Sequence, residues 1–123
     1  MSWEAKKINQ FEDLEVWKEA MNLAENLYKT LRGCQDYGLR DQIQRSAVSI
    51  ASNIAEGYDR GSNKEFIRYL YIAKGSCAEL RTQIYLAYKV GLIDESSYNN
   101  TLESTQRISA MLHNLIKVRK ERF

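Results

Sequence analysis

Apolar residues recur along this chain at intervals of three and four, the period of a helix with one buried face. From Asp13 to Leu31 the series is Leu14, Trp17, Met21, Ala24, Tyr28 and Leu31. It predicts a helix over about 13–31, with Asp13 as N-cap and Gly33 as the stop. A second helix is expected over about 39–58, its inner stripe being Leu39, Ile43, Ser46, Ile50 and Ile54. Ala47, Ser49, Ala51, Ser52, Ala55 and Gly57 flank that stripe, and such small side chains let a neighbouring helix come close. Ser62-Asn63-Lys64-Glu65 reads as a capping box that opens a third helix over about 63–90. Phe66, Leu70, Ala73, Cys77, Leu80, Ile84 and Ala87 form its stripe, and Gly91 ends it. Asp94 caps a fourth helix over about 95–120, with Tyr98, Leu102, Thr105, Ile108, Leu112, Leu115 and Ile116 facing inward.

At 1.5 Å per residue these helices would measure roughly 28, 30, 43 and 40 Å. Connections of about three to seven residues force antiparallel neighbours. The expected fold is therefore all-α, an antiparallel up-down-up-down four-helix bundle forming one domain over residues 1–123. Composition agrees: with no proline and six glycines in 123 residues, the turns of an all-β sandwich cannot be supplied. A 44% apolar and 28% charged make-up is that of a globular chain. No apolar run nears the roughly 20 residues of a membrane span. The opening Met1-Ser2-Trp3-Glu4-Ala5-Lys6-Lys7 lacks the apolar core of a signal peptide, and Cys34 and Cys77 fit neither a CxxC motif nor a disulfide scaffold. A cytoplasmic protein with reduced thiols is the expectation.

The third helix carries more apolar residues than one core needs. Ile72, Gly75, Leu86 and Val90 fall opposite its stripe, with Tyr71 at their margin. Burying each large side chain is worth about 1.5–3 kcal/mol, so this face supports self-association. The competing reading is of singly exposed hydrophobes, which any surface carries.

Little of the polar inventory is catalytic. A bundle di-metal site needs Glu-x-x-His pairs, but the single histidine, His113, has Ala110 where the glutamate belongs. No metal, cofactor or catalytic residue is expected. Asn53, Glu56 and Glu79 lie beside the core; a buried carboxylate there would serve as an acid or base, or else these groups satisfy cross-helix hydrogen bonds. Cys77 reads as a small buried hydrophobe, whereas Cys34 sits in the first loop near Arg32. Gly57 and Gly61 flank a turn without a phosphate-loop Lys-Ser/Thr. The net charge is only +2, yet the cations form two groups: Arg40, Arg45, Arg60, Lys64 and Arg68 around the second helix, and Lys117, Arg119, Lys120 and Arg122 at the end. Either would neutralise RNA phosphates, with Tyr58, Tyr69 and Tyr71 as stacking planes. The bland account is a solvated face and a cationic C-terminus that complements the helix dipole.

Four stretches together resemble the bacterial 23S rRNA intervening-sequence protein family. They are Phe11-Glu12-Asp13-Leu14-Glu15-Val16-Trp17; Tyr37-Gly38-Leu39 with Gln42-Ile43-Gln44-Arg45; Val48 to Gly57, which contains Asn53-Ile54-Ala55-Glu56-Gly57; and Ala73-Lys74-Gly75-Ser76 with Glu79-Leu80. The resemblance covers about Phe11 to Ile116 and implies a four-helix bundle assembling as a homo-oligomer, most often a pentamer. It also implies a link to ribosomal RNA, because members are encoded within insertions in large-subunit rRNA genes. A similar accessory protein of diversity-generating retroelements works with a reverse transcriptase. The family pattern falls on Gln42, Arg45, Ser49, Asn53, Glu56, Gly57, Gly75, Ser76 and Glu79, and implies a catalytic role for none of them. Ala51 and a proline-free first loop stand where members commonly have proline, and Gln44 and Ser46 where a basic residue and alanine are frequent. The favoured function is a non-enzymatic oligomer that binds structured or ribosomal RNA, with Tyr71, Ile72, Leu86 and Val90 in its interface. The alternative is a protein-interaction scaffold or accessory subunit that does not recognise RNA. An enzyme built on Glu56 or Glu79 ranks behind both.

Overall fold

The computed structural model describes residues 7–123; Met1–Lys6, which carry most of the leader reading, lie outside them. A 3-10 turn at Phe11–Asp13 precedes four helices: α1 at Glu15–Thr30, α2 at Tyr37–Asp59, α3 at Asn63–Lys89 and α4 at Glu95–Arg122. Connections of six, three and five residues fold each helix back on the last, and Gly33, Gly61 and Gly91 sit in them at positive φ. Gly91 shows why. Beyond Val90, the Leu92 amide donates to the Ala87 carbonyl at 2.9 Å, a reversal that needs a left-handed residue at position 91. Helix α1 packs on α2 and α4, and α3 on the same two; the diagonal pairs do not meet. The result is a four-helix bundle.

The α3 stripe is buried throughout, from Phe66 to Ala87, and Ile43, Ile50, Ile54, Ile108 and Leu112 complete the centre. Helix α1 departs from expectation. Met21 and Tyr28, placed in the core by their spacing, are 45% and 48% exposed, while Val16, Ala20, Leu23 and Leu27 are buried. Both series have helical spacing and lie roughly 100° apart around the axis. Leu14, Ala24 and Leu31 of the expected series are buried too, so the core spans parts of both stripes, and it is Met21 and Tyr28 that face outward beside α2.

Capping also differs in detail. Asp13 lies inside the 3-10 turn and accepts from the Asn9 amide at 3.0 Å, so α1 starts after Leu14 with no side-chain cap. Asp36 caps α2 through the Leu39 amide at 3.1 Å and starts it earlier than the stripe suggested. Ser62 accepts from the Glu65 amide at 3.1 Å, but Glu65 turns to Arg68 at 3.4 Å and leaves the box half formed. Asp94 accepts from the Ser97 amide at 2.8 Å, which holds its carboxyl below the usual range.

Candidate nucleic-acid interface

Antiparallel packing redistributes the two basic groups. Arg40 and Arg60 stand at opposite ends of α2, about 30 Å apart along its axis, and Arg45 is about 22 Å from Arg60. The first group therefore does not form one surface. Arg40 is also bound to Asp41 at 3.0 Å and lies over the Tyr37 ring. At the other end, α4 returns its last turn to the start of α3. The Asn63 side-chain amide donates to the Arg119 carbonyl at 3.0 Å, and Arg119 Nε donates back to Asn63 Oδ1 at 2.8 Å. This clasp sets the start of α3, which carries Lys64, against the last turns of α4, which carry Lys117, Arg119, Lys120 and Arg122; Arg60 and Arg68 instead gather on Tyr69 at the α2–α3 seam.

Not all of these cations are equally free. Arg119 is half-buried, with its guanidinium 4.9 Å from the centre of the Phe66 ring and 3.9 Å from that of Phe123. Arg60 pairs with Glu56 at 2.9 Å and also donates to the Tyr69 hydroxyl. Arg68 pairs with Glu65, and both Arg60 and Arg68 lie over the Tyr69 ring. Tyr69 is itself buried, and Tyr58 is half-buried with its ring edge-on to Phe66 at 5.6 Å. Neither offers a bare stacking plane. Of the three tyrosines Tyr71 is the exposed one, at 47%, with Lys120 Nζ 5.1 Å from its ring centre on one face.

Residues far apart in sequence join Tyr71. Between α3 and α4 lies a cleft of about 460 Å³ that holds Tyr71, Lys74, His113, Lys117 and Lys120. Lys120 Nζ donates to the Tyr71 hydroxyl at 2.7 Å, and Lys74 Nζ stands 3.3 Å from His113 Nδ1. Sequence reasoning missed Lys74 and His113 as members of the basic surface. Only the register of α3 against α4 reveals them, although the 113, 117, 120 spacing already put three polar groups on one helical face.

The polar motif residues gather on the α2–α3 seam. Asn53 donates to the Ser49 carbonyl at 2.8 Å and to its hydroxyl at 2.9 Å. Ser76 donates to the Ile72 carbonyl at 3.3 Å, so the Ser49 hydroxyl must donate in the 3.0 Å contact with Ser76. Every proton in that chain has an acceptor. Gly57 is buried, and a Cβ there would run into Tyr69 Cβ, so the bare backbone sets how closely α2 approaches α3. Gln42, Arg45 and Glu79 line a shallow groove of about 320 Å³ with Gln83, whose buried Oε1 has no partner. Gly75 is different: it is exposed in mid-helix with nothing within 4 Å of where a Cβ would stand.

The acid–base reading of Glu56 and Glu79 fails. Both are exposed, and hydrogen bonds from Arg60 and then Tyr69 hold the Glu56 carboxyl below its ordinary range, the reverse of what a general acid needs. Cys77 is buried, and burial pushes its thiol up to about 11, which makes it inert packing. Cys34 is half-buried, with its sulfur 3.9 Å from the Asp36 carbonyl. Among the described residues no group of three or more His, Cys, Asp or Glu is placed to hold a metal, and no helix is long and apolar enough to cross a membrane.

No curated protein matches the chain. Among solved structures it is similar to a Bacteroides thetaiotaomicron protein of unknown function from the S23 ribosomal protein family. The two are 29% identical, with 83% of this chain and 98% of the other covered at a TM-score of 0.76. A sequence profile described as 23S rRNA-intervening sequence protein matches residues 12–114, which includes the α2–α3 seam, the Gly57 contact and, of the α3–α4 cleft, Tyr71, Lys74 and His113. The chain belongs to the 23S rRNA-intervening sequence protein family.

Proposed function

We propose that this protein is a non-enzymatic homo-oligomer that binds structured RNA, ribosomal RNA included, through phosphate contacts at the end where α3 begins and α4 finishes. The observation that carries this reading is the clasp between Asn63 and Arg119, 56 residues apart, which sets Lys64 at the start of α3 against the cation-rich last turns of α4. Lys64, Lys117, Lys120 and Arg122 supply its charges that have no carboxylate partner among the described residues, while Arg68 and Arg119 are held against a carboxylate and rings and Arg60 stays with Glu56 at the α2–α3 seam. The two unpaired thiols suit a reducing cytoplasm.

Self-association multiplies these modest contacts by the number of subunits. Two apolar surfaces support it. One is a groove of about 560 Å³ between α1 and α2, lined by Phe11, Trp17, Met21, Tyr28 and Val48. The other is the outer face of α3, where Ile72, Leu86 and Val90 are 41%, 50% and 58% exposed. Distinct surfaces that pack head to tail close into a ring when the rotation between copies divides a full turn, which is one-fifth of a turn for the pentamer expected from the family resemblance. Gly75 adds an independent argument. A mid-helix glycine costs about 1 kcal/mol relative to alanine, and among the described residues nothing stands within 4 Å to require it. Close approach by a second copy accounts for it.

Gel retardation of ribosomal RNA fragments at two salt concentrations tests the RNA contact. Retardation at low salt that weakens steeply at high salt is expected, and Lys64→Ala with Lys117→Ala should reduce the logarithmic salt slope by about 0.7–0.9 per cation removed. No retardation by micromolar protein at low salt would refute RNA binding, and binding indifferent to salt would refute the phosphate mechanism.

A further inference from the structure

We infer that the α3–α4 cleft is a binding site for the phosphate monoester of a nucleotide. The inference deepens the RNA reading, and rests on it for one of two sources of that group: a free mononucleotide, or the 5′-phosphorylated end of an RNA strand.

The cleft is built from one face of each helix. Tyr71 and Lys74 are three residues apart on α3; His113, Lys117 and Lys120 follow at four and three on α4, with Ile116 as an apolar floor. Its volume of about 460 Å³ lies within the range of pockets that enclose small ligands. The lysine ammonium has only donors, so in the contact with Lys74 it is His113 Nδ1 that accepts. The ring proton then sits on Nε2, where it is available to a phosphate oxygen. Lys117 has no carboxylate partner among the described residues, and Lys120 and Lys74 are engaged only with the Tyr71 hydroxyl and the His113 ring. Both can turn to an anion without breaking an ion pair.

Charge selects the monoester. Lys74, Lys117 and Lys120 against Glu121 leave the cleft at +2, three cations less one carboxylate. A phosphate monoester carries about −1.5 to −2 at neutral pH, whereas a phosphodiester inside a strand carries a single charge. Tyr71 forms the wall beside these groups; Lys120 Nζ lies 5.1 Å from its ring centre, and as Lys120 turns to the phosphate the partly exposed ring is freed for the base to stack on. A bare inorganic phosphate would use the lysines but not that ring.

The single histidine of the chain is a ready-made reporter, because its ring resonances need no assignment by mutagenesis. Adenosine 5′-monophosphate, adenosine, inorganic phosphate, and a hexanucleotide with and without a 5′-phosphate are each titrated into the full chain at constant ionic strength while the His113 ring signals are followed. Saturable shifts are expected with the monophosphate, none with adenosine, and weaker binding of inorganic phosphate. Lys117→Ala should weaken the monophosphate by about tenfold. Lys117 is exposed, so the fold should survive, and the unchanged helical signal of the variant verifies this. Tyr71→Leu should reduce monophosphate affinity to that of inorganic phosphate.

If the 5′-phosphorylated hexanucleotide binds and its hydroxyl counterpart does not, the source is an RNA end; if only the mononucleotide binds, the source is a free nucleotide. Absence of any monophosphate shift at millimolar concentration overturns the site, as does equally tight binding of both hexanucleotides, or inorganic phosphate binding as tightly as the nucleotide. Retention of ribosomal RNA on gels in those cases would leave the RNA reading standing. Loss of retardation alone would remove that reading and the RNA end with it, but not a nucleotide shift at His113.

Discussion

Replacing Gly57 by alanine asks whether the backbone contact between α2 and α3 sets the geometry of the bundle. In isolation the change should help, since alanine in a helix interior is about 1 kcal/mol better than glycine. The structure opposes this gain. The new methyl would overlap Tyr69 Cβ and stand 3.2 Å from Tyr69 Cγ and 3.4 Å from Phe66 Cδ1. A Cβ is fixed to its backbone, so no rotamer change can relieve the first overlap; the helices must separate by on the order of 1 Å. Overpacking of this kind costs about 1–3 kcal/mol or more. Separation would also strain the bonds from Tyr69 to Glu56 and Arg60. We expect Gly57→Ala to lose about 1–2 kcal/mol net. Urea denaturation followed by far-UV circular dichroism would measure it as a lower midpoint with an unchanged slope. Gly75→Ala is the comparator at a concentration low enough to exclude assembly, because nothing stands near its added methyl and it should gain up to about 1 kcal/mol. Equal stabilisation by the two alanines would refute the close-approach argument.

Three further outcomes follow from the contacts. In the native protein one thiol, Cys34, should react readily with an aromatic disulfide reagent, while Cys77, buried and with its thiol pushed up to about 11, should react only on unfolding; two equally fast thiols would contradict the burial. The Glu56 carboxyl is held below its unfolded value of 4.5, so its contribution to stability is complete above that pH and is lost as pH falls through the lower folded value. Acid unfolding of Glu56→Gln should therefore depend less steeply on pH below about 4.5 than the parent, and identical profiles would remove the Arg60–Glu56–Tyr69 link. Asn63→Ala should cost about 1–2 kcal/mol by leaving the half-buried Arg119 without its acceptor, and a substitution within experimental error of the parent would show that the clasp does not hold the end of α4.

How much the sequence discloses depends on how many arrangements satisfy the same pattern. Helix α3 has one inward stripe, Phe66 to Ala87, and that stripe is buried in full. Helix α1 has two stripes of equal regularity, and periodicity alone cannot choose between Met21 and Tyr28 on one side and Leu23 and Leu27 on the other. The choice belongs to α2 and α4, which receive the helix. The basic surface was half legible: composition found the cations, but chain proximity wrongly tied Arg40 and Arg45 to Arg60. The antiparallel return of α4 is what ties Lys117 and Lys120 to Tyr71 and Lys74. Gly57 reads as one small residue among several until Tyr69 is seen to press on it. The helical angle puts Gly75 opposite the core, and it lies bare on the outer face.

Light scattering on the eluting peak of a size-exclusion column tests the central claim, that this bundle works as a ring of copies joined through its α1–α2 groove and the outer face of α3. A mass several times that of the 14.3 kDa chain is expected, falling toward one chain in a variant carrying Gly75→Leu. A parent protein that elutes as a single 14.3 kDa particle at micromolar concentration would contradict it.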